Sequence, residues 1–381
     1  MGKHLVLIGG GHAHMRSLLN IDQLTTRGHQ VTLVSPSPYH YYSGMGPGML
    51  GGFYDPSQVR FHVGAMAQER GAIFIQDTAI KIDPRKRTIH LASGQSISYD
   101  VASCNTGSDV KLSDIVTVTD TVIPVKPVLN LYKARTTLLK EIESRQLELV
   151  VIGGGPAGVE ISANLWRLLR GKPKHATITL VAGGELLRNA PERVRTLARK
   201  SLLEKNIRVL TGVRAEKIEK GTVTLSDQSC LNYDFAFLAT GITPSALFRD
   251  SALPTGADGG LLVNNFLHCT EYPDLFGGGD CISLKGCPLA KVGVYAVRQN
   301  PVLFHNLMAK LEDTPLRSFD PGPPYMLILN MGDSRGILWK RSLALNGWIS
   351  FLLKDYIDRR FMKKYQVSGE LKDPSQEERT G

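Results

Sequence analysis

Two apolar runs, Leu5-Val-Leu-Ile8 and Leu149-Val-Val-Ile152, each end abruptly in three glycines, and a stretch of helical spacing follows each before a second apolar run begins. A short apolar run bounded by glycine reads as a strand, and apolar positions recurring at three and four residues read as a helix. The first copy predicts a strand over 5–8, a helix to about Gln23 and a strand over Gln30–Val34. The second predicts a strand over 149–152, a helix to about Leu169 and a strand over Ala176–Val181. Each copy is a β-α-β unit, and the pattern recurs about 144 residues along the chain. After Pro315 the elements shorten, with strands expected over Tyr325–Leu329 and Gly336–Trp339 and a turn at 331–333. From Gly347 to Gln366 the residues Ile349, Leu352, Leu353, Tyr356, Ile357 and Phe361 form one stripe of an amphipathic helix. Lys354, Arg359, Arg360, Lys363 and Lys364 are expected on its other faces, as a basic solvated surface. From Glu370 the chain is polar and is expected to be a mobile tail.

The glycines between strand and helix have a geometric purpose. The chain must turn sharply while its amides approach a pyrophosphate seated on the positive end of the helix dipole, and a side chain would block that approach. Gly153, Gly155 and Gly158 complete a G-x-G-x-x-G fingerprint, with Pro156 and Ala157 inside it, in the strand-turn-helix setting that the motif requires. In the first copy Gly9, Gly10 and Gly11 lead into His12 and Ala13, but His14 stands at the third fingerprint position. Glycine there lets helix and sheet pack closely, so this helix is expected slightly farther out. No third ligand at metal-site spacing accompanies His12 and His14, and no metal is assigned.

The second strand of such a unit normally ends in an acid that accepts from the ribose hydroxyls. Ser35, followed by Pro36, holds that place in the first copy and can still bond a hydroxyl. The second copy ends in Ala182-Gly-Gly, with Glu185 and Arg188 beyond, which leaves NADH against NADPH open.

Composition narrows the partners. A chain of 381 residues has room for two to three domains at roughly 150 residues each, and 42% hydrophobic residues exclude disorder. Lys and Arg exceed Asp and Glu by 10, which favours an anionic partner: a phosphate-bearing cofactor, a membrane surface or nucleic acid. No basic block with interleaved aromatics and no DNA-binding motif is present, which argues against nucleic acid. Five cysteines make no disulfide framework and suit a reducing compartment. No signal peptide is expected, and no run reaches the roughly 18–20 apolar residues that span a bilayer. A cytoplasmic protein is expected, either free or peripheral on the cytoplasmic face of a membrane.

In their order, these parts resemble the two-dinucleotide-binding-domain flavoproteins. That superfamily includes the pyridine nucleotide-disulfide oxidoreductases, type II NADH dehydrogenases and sulfide:quinone oxidoreductases. Tyr99 to Ser108, with Thr106 and Gly107, is similar to the segment closing the first half of the flavin domain, and Tyr233 to Gly241 to its counterpart in the second domain. Tyr272 to Cys281 resembles the second flavin motif, in which Asp280, after Gly279, would bond the ribityl chain of FAD. Lys291 and Val292 open a segment similar to the helix that points its N-terminus at the flavin ring. The resemblance spans about residues 4–310. Gly9-Gly-Gly-His-Ala-His14, Tyr42 to Leu50 and Lys354 to Met362 further resemble NADH-dehydrogenase-like proteins associated with selenide water dikinase.

The resemblance implies an α/β fold of two Rossmann-like three-layer domains, the second inserted in the first, plus a small C-terminal α+β domain. The expected boundaries are 1–112 and 253–314 for the FAD domain, 113–252 for the NAD(P) domain and 315–381 for the C-terminal domain. It also implies FAD, NAD(P)H as electron donor and a quinone-like acceptor. Glu160 matches a carboxylate near nicotinamide and flavin, in a relay or orienting role. The early loop has no Cys-x4-Cys pair, which argues against dithiol exchange. Two rivals remain: a flavoprotein oxidising sulfide or a selenium compound through Cys281 and Cys287, and a non-catalytic flavin-bearing partner of a selenium-handling protein. Cys104, Cys230 and Cys269 are expected to be structural. The stripe of 347–366 suits a membrane surface, the flavin domain or a homodimer face.

Overall fold

Two five-stranded parallel sheets dominate the computed structural model, which describes residues 2–110 and 119–371. In chain order, the first sheet takes β1 (His4–Ile8), which leads into the short helix α1 (Met15–Leu19), then β2 (Gln30–Ser35), β3 (Ile73–Gln76) and β4 (Val101–Cys104). The chain then builds the second sheet from β5 (Val122–Pro124), β6 (Leu147–Ile152), the helix α2 (Pro156–Leu169), β7 (Ala176–Ala182) and β8 (Arg208–Thr211). A small antiparallel sheet, β9 (Ala215–Glu219), β10 (Thr222–Leu225) and β11 (Cys230–Asn232), precedes the last strand of that sheet, β12 (Phe235–Leu238). The chain returns to the first sheet with β13 (Leu275–Gly277) and runs into the long helix α3 (Gly293–Leu311). It closes with an antiparallel sheet of β14 (Leu327–Asn330), β15 (Gly336–Lys340) and β16 (Leu343–Gly347) against the helix α4 (Trp348–Tyr365).

The first sheet has the order β13-β4-β1-β2-β3 and the second β5-β12-β6-β7-β8. The second sheet is thus inserted between the fourth strand of the first and its edge strand. The central strands β1, β4, β6 and β12 are buried almost throughout, as sheets covered by helices on both faces require. The expected boundary at 112–113 lies outside the described residues.

Four details differ from expectation. The first β-α-β unit has no continuous helix to Gln23: a 3-10 turn at His12–His14 leads into α1, and a separate short helix follows at Asp22–Thr25. His14 is the physical reason. In the second unit a Cβ on Gly158 would lie 1.8 Å from the Gly153 carbonyl oxygen, so only glycine lets the helix start that close. In the first, the buried His14 ring takes up the space, with Nδ1 2.6 Å from the Gly9 oxygen and Nε2 2.8 Å from Ser103 Oγ. A carbonyl only accepts, so Nδ1 carries the proton and Nε2 accepts from the serine hydroxyl. Burial holds this histidine neutral, at a pKa of about 4.

The second difference is β16, a strand to which the sequence reading assigns no element. Third, the stripe on α4 faces solvent except at Phe361, which packs among His12, Tyr42, Phe61 and Tyr365: Ile349 is 66% exposed and Tyr356 60%, while Phe351, Asp358, Met362 and Tyr365 form the buried face. Lys354 accordingly leaves the expected basic surface and turns inward. Fourth, Glu370 is anchored rather than mobile, accepting from the amides of His62 at 3.1 Å and Ser368 at 2.9 Å. The rest of the expected tail from 372 onward lies outside the described residues.

Candidate active site

One cavity of about 770 Å³ lies between the two sheets, and two helices open onto it by their N-terminal ends. Gly155 caps α2 and Val292 caps α3, and neither offers a side-chain cap. Pro156 has no N–H, so at α2 the amides of Gly155 and Ala157, and at α3 the amides of Gly293 and Val294, are left to be satisfied by whatever fills the cavity, and both dipoles direct positive potential into it. Glycine matters at the first end. A Cβ at Gly155 would meet nothing within 4 Å, so the space over that amide is open. Gly153, with φ of +129°, sits against the Ala239 carbonyl where a Cβ would fall at 2.2 Å.

Asp280 lines the same cavity beyond the end of β13, and its carboxylate accepts from Lys126 Nζ at 2.9 Å and Ser108 Oγ at 3.0 Å. Lys291 lines it as well, but its ammonium is committed to Asp258 at 2.8 Å and to the Ile282 carbonyl. Of the other residues expected to hold a cofactor, Gly153, Pro156, Ala157, Gly241 and Val292 border the cavity, whereas Gly9, Gly10, Gly11, His12, Ala13, Ser35, Pro36, Thr106, Gly107 and Gly158 do not. Gly279 borders the adjoining crevice beside Asp280. The first fingerprint is partly occupied by Asn105, whose Oδ1 accepts from the Ala13 amide at 3.0 Å and whose Nδ2 donates to Gly278 at 2.6 Å. Near it the buried His12 pairs through Nδ1 with His40 Nε2 at 3.1 Å, while His12 Nε2 has no hydrogen-bond partner. Among the described residues no three His, Cys, Asp or Glu side chains converge as a metal site would.

Glu160, one turn into α2, borders the cavity and meets the C-terminal unit. Its Oε1 accepts from the Asn330 amide at 2.7 Å. Burial raises its pKa to about 7, against the opposing pull of the Lys354 ammonium and the Asn330 amide. Lys354 donates to the Gly44 carbonyl at 2.7 Å and to Asp358 at 2.8 Å. Burial works against its charge, but the facing carboxylates of Asp358 and Glu160 prevail and hold it above the ordinary lysine value. Tyr42 completes the group, donating to Asp358 at 3.0 Å, and burial holds its hydroxyl protonated. A carboxyl that titrates near neutrality beside a fixed ammonium can hand over and recover a proton at physiological pH.

Lys354, Asp358, Tyr42 and Lys126 escape the sequence reading of the site. The four-residue spacing of Lys354 and Asp358 is visible in the sequence, but their burial is not. The cysteines separate in a way that spacing does not show. Cys281 is fully buried, donates to the carbonyls of Gly278 at 3.2 Å and Cys104 at 3.4 Å, and burial raises its pKa. Cys230, expected to be structural, is exposed on β11.

Residues 3–305 match the family described as pyridine nucleotide-disulphide oxidoreductase. The chain belongs to that family. The match stops short of the C-terminal sheet and α4, so Lys354 and Asp358 lie outside the matched residues. Among similar proteins, a ferroptosis suppressor protein 1 of Taeniopygia guttata is 29% identical over 284 residues, covering 70% of this chain and 71% of the relative. The demethylphylloquinone reductase NdbB of a Synechocystis strain is 24% identical over 327 residues, covering 82% and 80%. Among solved structures, NDH2 of Plasmodium falciparum, determined in complex with NADH, superposes with a TM-score of 0.82 at 15% identity, covering 98% of this chain and 99% of the other. Sulfide:quinone oxidoreductase of Aquifex aeolicus follows at 0.77 and 17% identity, covering 96% and 92%. This family of oxidoreductases thus shares the two-domain nucleotide-binding fold with the chain along nearly its whole length. The residues present fit a flavin dinucleotide together with a pyridine nucleotide: two uncapped helix ends for anionic groups, an aspartate at the cavity wall and an unpartnered buried imidazole nitrogen behind it.

Proposed function

We propose that this protein is an FAD-dependent NAD(P)H dehydrogenase that passes electrons to a quinone-like acceptor. The observation that carries the reading is the convergence of the α2 and α3 N-termini on one cavity, with Glu160 and Lys354 beside it. Relatives named as NAD(P)H-ubiquinone oxidoreductase and demethylphylloquinone reductase support it. FAD, when bound, supplies the group that accepts two electrons from the nucleotide and passes them on. The chain does the positioning. Gly9 to Ala13, Ser35, Pro36, Thr106, Gly107, Gly279, Asp280, Lys291 and Val292 are assigned to the flavin dinucleotide, Lys291 through its backbone. Gly153, Gly155 to Gly158 and Gly241 are assigned to the pyridine nucleotide. The α3 end stabilises negative charge at the cavity. Glu160 holds a proton that a quinone-like acceptor needs on reduction; the Asn330 amide keeps that carboxyl oriented, and the charge of Lys354 keeps it within range of ionisation near pH 7.

The outer face of α4 supports a peripheral membrane site for the acceptor. Trp348, Ile349, Leu352, Tyr356 and Ile357 are exposed beside Leu343 and Leu345 of β16, with Arg359, Arg360, Lys363 and Lys364 around them. An apolar face rimmed by cations is the pattern of an interfacial helix. Among the described residues no helix is long and apolar enough to cross a membrane. At Cys281 the sulfur or selenium route lacks a comparable basis, because a thiol so buried resists becoming the thiolate such chemistry uses, and Cys287, half-buried, borders neither the cavity nor the adjoining crevice.

The deciding experiment is an anaerobic visible spectrum of the purified protein before and after NADH or NADPH, followed by an added quinone. Bleaching of a flavin band and its return with quinone is the expected result. A flavin that stays oxidised with both nucleotides would overturn the reading. Gly155→Val fills only open space, so this variant should keep its flavin and lose reduction by nucleotide.

A further inference from the structure

Resting on the dehydrogenase reading above, we infer that the nucleotide taken by the second fold is NADPH, recognised through its 2′-phosphate by Arg214.

The adenine ribose of a dinucleotide in such a fold lies at the C-terminal end of the second strand, here β7. An acid at that point accepts from both ribose hydroxyls of NADH and repels a 2′-phosphate. This chain has the buried Ala182 there, followed by Gly183 and Gly184. The next carboxylate, Glu185, is 68% exposed and engages the Arg195 guanidinium, so its charge is already answered away from the strand end.

What occupies the strand end is a cation. Arg214 borders the cavity together with Gly183, and its stem lies directly over that glycine: a Cβ on Gly183 would come within 2.8 Å of Arg214 Cγ. The main chain beneath it is pinned from both sides, since the Arg214 amide donates to Ser226 Oγ at 3.1 Å and its carbonyl accepts from the Ser226 amide at 2.9 Å. No ion pair or side-chain hydrogen bond engages the guanidinium among the described residues. A fixed backbone carrying an unengaged guanidinium, in the same cavity as the open amides of Gly155 and α2, suits a dianionic phosphate monoester, which arginine can grip with two parallel N–H donors. The ribose diol of NADH is served poorly by the same group, because guanidinium offers donors and no acceptor.

Two probes that differ only in the phosphate test this on the flavin-loaded protein. Binding of adenosine 2′,5′-bisphosphate and of adenosine 5′-monophosphate is measured by calorimetry at low salt, in the natural protein and in Arg214→Ala, Arg214→Lys and Arg214→Glu. The bisphosphate should bind at least about tenfold more tightly than the monophosphate. Arg214→Ala should erase that advantage while leaving the monophosphate and the melting temperature unchanged, Arg214→Lys should keep part of it, and Arg214→Glu should reverse it. Equal binding of the two probes, no binding of the bisphosphate up to millimolar concentration, or an advantage that survives in Arg214→Ala would overturn the inference. Flavin bleaching by the two dinucleotides separates the levels. If NADH and NADPH reduce the flavin equally well, the dehydrogenase reading stands and the NADPH assignment falls, whereas reduction by neither removes both.

Discussion

The ammonium of Lys354 and the carboxylate of Asp358 form a buried ion pair at 2.8 Å, one turn apart on α4, with side chains only 13% and 6% exposed. The pair ties the C-terminal helix to the carboxyl of Glu160 on α2, through a charge that burial alone would disfavour. Such a pair adds little net stability over a well-packed apolar pair, but losing one partner strands the other. Asp358→Asn should therefore cost about 3–5 kcal/mol, read as a lower urea midpoint with an unchanged slope. A variant as stable as the natural protein would show that the pair is not buried in solution.

Glu160 predicts a pH dependence with a definite sign. Its folded pKa of about 7 lies above the ordinary 4.5, so the folded protein holds this proton more tightly than the unfolded chain. Its contribution to stability is complete below the unfolded value and is lost as pH rises through the folded one. Glu160→Gln should flatten the decline in melting temperature across that interval. It should also remove a limb near pH 7 from the quinone-turnover profile and lower the rate by about a hundredfold or more. An unchanged profile would take proton transfer away from this residue.

The outer face of α4 separates membrane binding from folding. Replacing Ile349, Leu352 and Tyr356 together by Ser touches side chains that are 66%, 52% and 60% exposed. Stability should change by no more than about 0.5 kcal/mol per site, while flotation with anionic liposomes should be lost. Continued flotation would move the membrane contact elsewhere, and a shift from dimer to monomer on gel filtration would identify the face as an interface between copies.

His14 tests the start of the first nucleotide fold. His14→Ala leaves the Gly9 carbonyl and the Ser103 hydroxyl without their buried partner, at a cost of about 1–3 kcal/mol, and opens a void beneath the 3-10 turn. The measurable outcome is a lower melting temperature together with weaker retention of flavin on dialysis. His14→Gly should not repair it, because the turn has settled around a ring rather than a backbone contact.

Much of the architecture was legible in one dimension because its cause is local. A buried parallel strand needs an apolar run, and a strand that turns into a helix under a pyrophosphate needs glycine, so Leu149 to Gly158 states its structure outright. The Asp280 motif and the opening of α3 were legible only through their resemblance to the flavoprotein superfamily, because neither segment announces a flavin by spacing alone. The missing acid at Ala182 was equally plain, and it posed the NADH or NADPH question without answering it.

Tertiary structure decided what depends on residues far apart in the chain. Lys354 looked like one more cation on a basic helix, and only packing against Gly44 and Glu160 turned it inward, leaving the apolar stripe of α4 facing out. Arg214 carried no motif at all. Its position over Gly183 comes from the pairing of β7 with β8, which sets Ala182 beside Thr211 and carries the chain past Gly184 into Arg214, and a register between two separate strands is not encoded by any local pattern of side chains. The sequence by itself determined the two nucleotide folds, because backbone geometry answers to neighbouring residues. The fold determined which charges meet the cavity, because burial and electrostatic pairing answer to the whole chain.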